Sequence, residues 1–199
     1  KFFIFMKTFL HVGCGPQNIS DIQGFDKESW KEIRFDIDKS VEPDIEGTML
    51  DMTQVESESV DAVYSSHNIE HVYPHEVSIV LSEFFRVLKN DGIVVMYCPD
   101  LQSVSESVVN DKLLEPLYKT SNGIPISPID IIYGWRAPIA EGNHYMAHKC
   151  GFTYSVLDRV FSEAGFKARY GGRNPIAFEL FIVAFKKELS EEEIKKIAD

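Results

Sequence analysis

The stretch SSHNIEHVYPHE, residues 65–76, sets His67, His71 and His75 one helical turn apart, with Glu70 directly before the second. HNIEH fits the spacing HxxEH, with which two imidazoles and a carboxylate on one helix hold zinc and activate a water. That chemistry needs a continuous helix and a third ligand, and Pro74 cuts the run short. The sequence therefore predicts no metal site: Glu70 and His71 brace a strand-to-helix loop, and His75 begins the next helix in solvent. His67 remains as a strand-end imidazole of the kind that serves as a general base near neutral pH.

LHVGCGPQN is an apolar run entering Gly13, Cys14 and Gly15. Glycines allow a sharp turn and close approach of a ligand, and a following helix would offer it free N–H groups. GxGxxG is incomplete because Asn18 takes its last position, and a ligand-free turn explains the loop equally well. Asp36 and Asp38 follow at roughly the 20-residue spacing at which an acidic residue meets ribose hydroxyls. Asp51 in MLDM has the acceptor that an adenine amino group needs, although a plain turn carboxylate accounts for it as well. A third group, Tyr133, Trp135, Arg136, His144, Tyr145 and His148, mixes aromatic and cationic side chains as a sugar- or anion-binding wall does. His144 and His148 are second candidates for the base, and Asp100 at the end of a strand faces the same region. Aromatic packing of a lid onto the sheet edge is the alternative for Trp135. Cys98 precedes Pro99, the wrong order for a cysteine nucleophile of cytosine methylation.

These residues need elements to position them. KTFLHV, EIRFDID, GTMLDM, SVDAVYSS and GIVVMYCPD read as five strands, on apolar alternation and β-branched content. HEVSIVLSEFFRVLKNDG and FTYSVLDRVFSEAGF carry helical apolar stripes, the second stopped by Gly165. Strand and helix alternate, which predicts an α/β, doubly wound, mostly parallel sheet covered on both faces. FKARYGG and AFELFIVAFKK are too close for a crossover and must pair antiparallel. Residues 101–150 form an insertion after the fifth strand, where open sheets bind ligands. Residues 1–189 are expected to be one domain carrying it, with 190–199 a charged terminal helix or tail.

Composition narrows the function. With 44% hydrophobic and 26% charged residues, the chain suits a soluble globular protein and no membrane partner. A net charge of -11 disfavours a nucleic-acid partner, because phosphate neutralisation needs a basic face. Three separated cysteines fit a reducing compartment, and the protein is expected to be cytoplasmic. Met6 is a candidate for the natural start, with an upstream start as the alternative.

Taken in order, HVGCGP, RFDID, MLDM, SVDAVYSSHNIEHV, FFRVLKNDGIVVMYCPD and FTYSVLDRVFSEAGF resemble the class I, Rossmann-like S-adenosylmethionine-dependent methyltransferases over roughly residues 7–186. The closer likeness is to small bacterial methyltransferases. The resemblance implies S-adenosylmethionine as cofactor: Gly13, Cys14 and Gly15 along its methionine portion, Asp36 with Ile37 at the ribose, Asp51 with Met52 at the adenine, and Ser66 with His67 beneath the sulfonium. His11 stands where the family often has an acid. The implied reaction is methylation of an oxygen or nitrogen of a small molecule or saccharide. A nucleotide-cofactor dehydrogenase and a non-catalytic S-adenosylmethionine-binding module are the alternatives.

Overall fold

The computed structural model describes residues 6–120 and 122–198; the reading of Met6 as a start concerns residues 1–5, outside that range. Its strands are β1 Lys7–Val12, β2 Trp30–Asp36, β3 Ile45–Glu46, β4 Val60–Ser66, β5 Leu88–Pro99, β6 Tyr118–Lys119, β7 Pro125–Ile126, β8 Ala168–Asn174 and β9 Glu179–Phe185. The helices are α1 Val77–Val87, α2 Leu101–Val109, α3 Pro128–Tyr133, α4 Arg136–Ala140, α5 Tyr154–Glu163 and α6 Glu191–Ala198. Seven strands form one sheet in the order β3-β2-β1-β4-β5-β9-β8, and β6 with β7 forms a separate hairpin. β1 to β5 run parallel, whereas β9 is antiparallel to both β5 and β8. This is the expected α/β architecture with its antiparallel ending.

Alternation along the strands decides what each face touches. Leu10, Val12, Val63, Val94, Met96 and Ile182 face α1 and α5, where Leu81, Phe84, Leu157 and Phe161 close the main core. The opposite face is covered differently from the expectation. Phe9 and Ala62 pack against Ile19 and Ile22 of a loop, not a helix, with Phe25 over Phe9 at 4.3 Å between ring centroids. Between β1 and β2 the only helical piece is one 3-10 turn, Ile19–Asp21. Pro16 cannot donate to a helix, Asn18 and Asp21 spend their side chains on a reciprocal cap, and Gly24 turns the chain at φ 91°. Such side-chain bonds compete with helix extension.

The third strand also differs. Ile45–Glu46 pairs with Phe35 and Asp36, and the predicted strand from Gly47 to Met52 is a turn in which Thr48 bridges Asp51. Gly47 sits so near Phe35 that an added Cβ would lie 2.7 Å from its ring, and its N–H is held by the Asp36 carbonyl at 2.9 Å.

Phe84 on α1 is fully buried in the main core. Replacing it with Ala removes ring contacts and leaves a cavity, at a cost of about 3–5 kcal/mol. The urea midpoint should fall accordingly with little change in slope; an unchanged midpoint would show that this packing does not hold the sheet and helices together.

Candidate functional site

β1 has β2 on one side and β4 on the other, so the order in which parallel strands are added reverses at β1, and open α/β sheets leave a crevice at the carboxyl ends of the strands there. There a cavity of about 440 Å³ opens, within the range of small-molecule sites. Gly13, Gly15, Asp36, Met49, Leu50 and His67 form its floor and walls, and Asn143, Tyr145, Met146 and Lys149 of the insertion reach over it.

The glycine loop is shaped by its neighbours. Gly13 and Gly15 have φ of 66° and 52°, conformations that glycine enters without steric cost. A Cβ on Gly13 would overlap the side chain of Asn68. The Asn68 amide donates to the carbonyls of Val12 at 2.9 Å, Gly13 at 3.3 Å and Ser66 at 3.1 Å, tying the ends of β1 and β4 together. From β2, Asp36 accepts the N–H of Gly15 and of Asp38, each at 2.8 Å. Each oxygen of Asp36 keeps a lone pair for a ribose hydroxyl. The Arg34 guanidinium donates to the carbonyls of Gly15, Gln17, Val41 and Glu42, stapling together the loops that follow β1 and β2.

His67, first after β4, adopts φ 55°. Its Nδ1 lies 3.0 Å from Ser66 Oγ and its Nε2 3.7 Å from Glu179 Oε2. It stands at the cavity mouth with 48% of its side chain accessible. The surrounding walls displace enough water to push its pKa down to about 4, with His71 adding repulsion, so it is a weaker base than the near-neutral imidazole expected from the sequence, while burial raises the pKa of Glu179.

The remaining expected residues fall into three groups. Ile37 and Tyr145 line the cavity with Gly13, Gly15, Asp36 and His67. Others do not line it. Cys14 is buried behind the loop, its thiol pushed up to about 11 by desolvation. Met52 is wholly in the main core, its N–H held by Glu83 at 2.8 Å, and Asp51 is exposed, so Thr48, Met49 and Leu50 supply the wall expected of them. Ser66 contacts His67. His11 is buried beside Tyr64, on the Phe9 side of β1, where its Nδ1 lies 2.7 Å from Glu32 Oε1 and Glu32 Oε2 takes the Ile19 N–H at 2.8 Å.

The third group belongs to the frame of the insertion. Asp100, wholly buried, caps α2 through the Gln102 N–H and pairs with Arg173 at 2.8 Å. Arg136 forks onto Asp130 at 2.6 and 2.9 Å, so the cation expected in a binding wall is already matched. Trp135 packs on the small cluster of Val104, Ile126 and Ile131. Tyr133 and His144 are exposed. His148 donates Nδ1–H to the Ile131 carbonyl at 2.7 Å.

Sequence reading missed Asn68, Glu179, Asn143 and Lys149. Glu179 reaches His67 only because β9 pairs with β5 in a register that sets it opposite Pro99, and nothing local in the sequence signals that.

Residues 10–96 match the family model described as a methyltransferase domain. Among solved structures, a S-adenosylmethionine-dependent methyltransferase from Archaeoglobus fulgidus is similar at 16% identity and TM-score 0.60, over 93% of this chain and 88% of that one. A protein from Pyrococcus horikoshii OT3 is similar at 16% identity and TM-score 0.61, over 94% and 84%. The citrinin polyketide synthase CMeT domain matches at 10% identity and TM-score 0.59 over 94% of this chain, which spans 48% of that one. No curated protein sequence matches the chain. The match over residues 10–96 and the shared fold both support the resemblance to class I S-adenosylmethionine-dependent methyltransferases and, with it, S-adenosylmethionine as the cofactor.

Gly13→Ala should weaken binding of S-adenosylhomocysteine at least 10-fold by titration calorimetry, because the new methyl must displace Asn68 from the clasp; unaltered affinity would show that the loop tolerates a side chain. A second expectation concerns pH. Burial lowers the pKa of His11 below 6.5, opposed in part by Glu32. As pH falls, the unfolded chain therefore takes up this proton first, and stability is lost from 6.5 down towards the folded pKa. In His11→Gln, the drop in urea midpoint between about pH 7.5 and 5 should be smaller than in the parent; an equal drop would remove His11 from the acid response.

Proposed function

We propose that this protein is an S-adenosylmethionine-dependent methyltransferase that methylates an oxygen or nitrogen of a small molecule or saccharide, with His67 as the base. When bound, the cofactor supplies an electrophilic methyl on its sulfonium. The cavity suits it: Gly13 and Gly15 line it, the space beside Gly15 is open, and a carboxylate stands at Asp36 with lone pairs to spare. Gly13 and Gly15 would take the methionine portion, Asp36 the ribose hydroxyls, and Met49 with Leu50 the adenine.

The observation that carries the reading is the position of His67, held between Ser66 and Glu179 at the mouth of this cavity. Methyl transfer depends chiefly on aligning two reactants away from water. A hydroxyl or ammonium acceptor must also lose a proton, and His67 Nε2 would receive it. The lowered pKa of His67 keeps that nitrogen unprotonated at neutral pH, and Glu179 would stabilise the imidazolium that forms. Asn143, Tyr145 and Lys149 would cover the acceptor with an aromatic ring, an amide and an ammonium, a polar mixture suited to a hydroxylated or amino-bearing compound. His11, whose replacement of an acid raised the non-catalytic reading, sits outside the cavity lining in a satisfied bond with Glu32. The domain is read as one unit in which residues 101–150 supply the acceptor side.

Screening saccharides, phenols and amines for S-adenosylhomocysteine release tests the acceptor class. On the best acceptor, His67→Ala should lower kcat about 100-fold and leave S-adenosylhomocysteine affinity within about twofold. An unchanged kcat would remove His67 from the proton transfer.

A further inference from the structure

We propose that Glu70, His71 and His148 form a binding site for a divalent transition-metal ion, with zinc the reference case. Each of the three offers a ligand atom, and these atoms lie within 4.8 Å of one another. Glu70 and His71 stand in a 3-10 turn, Ile69–His71, after β4, and His148 comes from the insertion.

The observation that asks for a ligand is Glu70. Its side chain is 1% exposed, and neither carboxylate oxygen has a hydrogen-bond partner among the described residues. His148 Nε2 lies 3.9 Å from Oε1, beyond hydrogen-bond reach. Left like this, a buried carboxylate is strongly disfavoured when charged and still destabilising when neutral and unbonded. Desolvation accordingly pushes Glu70 up to about 8. A cation bound there would reverse that preference and give the carboxylate a positive partner.

The imidazoles are prepared in the way metal ligands are. His71 Nδ1 lies 3.1 Å from the Ala147 carbonyl, and His148 Nδ1 lies 2.7 Å from the Ile131 carbonyl. A carbonyl only accepts, so both Nδ1 atoms carry the proton and each neutral ring keeps its lone pair on Nε2. Backbone carbonyls of this sort fix the tautomer and orientation of ligating histidines. Burial keeps both rings neutral at physiological pH, lowering His71 and taking His148 to about 4, with His71 adding to the shift at His148.

Two imidazoles and one carboxylate with an open position are a donor set for zinc and its neighbours. A tetrahedral ion with bonds of ~2.1 Å would draw the three atoms to roughly 3.4 Å apart, within reach of side-chain rotation. His71 also lines the cofactor cavity, which provides the entry path. Pro74 argued against a helix-borne zinc motif, and no helix is required: a single 3-10 turn presents two ligands and the folded insertion delivers the third. The proposal stands apart from the identity of the acceptor.

The test uses the full chain, stripped with a chelator and dialysed. Zinc should bind at one ion per chain, raise the melting temperature, and be replaced by cobalt with visible absorption of a low-coordinate site. Glu70→Gln and His148→Ala should each weaken zinc at least 100-fold. S-adenosylhomocysteine titration of the same samples shows that the variants are folded and reads the cofactor site separately. His148→Gln provides a second variant of similar volume if His148→Ala does not fold. No stoichiometric zinc in the parent, or zinc held equally well by Glu70→Gln, would overturn the proposal.

Discussion

The structure depends on one side-chain amide. Asn68 bonds the carbonyls at the ends of β1 and β4, the two strands between which the sheet splits into its left and right halves. Backbone carbonyls at such a split have no strand partner and must be satisfied locally. By meeting them from within, Asn68 fixes the gap between the strands at the width that becomes the cavity floor. The same amide occupies the space a side chain at residue 13 would need, so the glycine and the asparagine specify each other.

Around that clasp, hydrogen bonds perform the work that helices do on the other face of the sheet. Glu32, Arg34 and Asp36 are successive alternate residues of β2, and each reaches into the loop after β1: Glu32 to Ile19, Arg34 to Gly15 and Gln17, Asp36 to Gly15. A loop with few apolar residues cannot be held by burial alone. Charged acceptors and donors make bonds about twice as strong as neutral ones, which is how a short strand anchors the cofactor side with only Phe25, Ile19 and Ile22 as apolar cover.

What could be read in the sequence follows from range. The strand and helix pattern was legible because apolar alternation and stripes are local: α1, α5, β4 and the β8–β9 pair all lie where periodicity put them. Gly13, Gly15, Asp36 and His67 were legible as strand-end residues, and they do meet at one cavity. Met52 was misread because a single residue of register in a turn decides between core and cavity. The Glu179 contact with His67, the Asp100 pair with Arg173 and the Asp130 pair with Arg136 were not legible. Each depends on how an insertion or an antiparallel strand folds back, and residue types alone carry no trace of that.

The buried acids finally separate structure from chemistry. Asp100 has a serine hydroxyl, a backbone N–H and a guanidinium; Asp130 has a guanidinium and the Ser127 N–H; Glu32 has His11 and the Ile19 N–H; Asp36 has two backbone N–H groups. This chain thus gives a buried carboxylate at least two donors wherever its purpose is to hold the fold. Glu70 has none, in a turn whose backbone carbonyl is nonetheless well used by Lys149 and Cys150. Its main chain is therefore part of the frame that docks the insertion, while its side chain is left with an acceptor pair and two neutral imidazoles beside it. Were Glu70 only a brace for that turn, an apolar residue of similar size would serve better, since it would carry no desolvation cost. A carboxylate is the better residue there only if something positively charged comes to meet it.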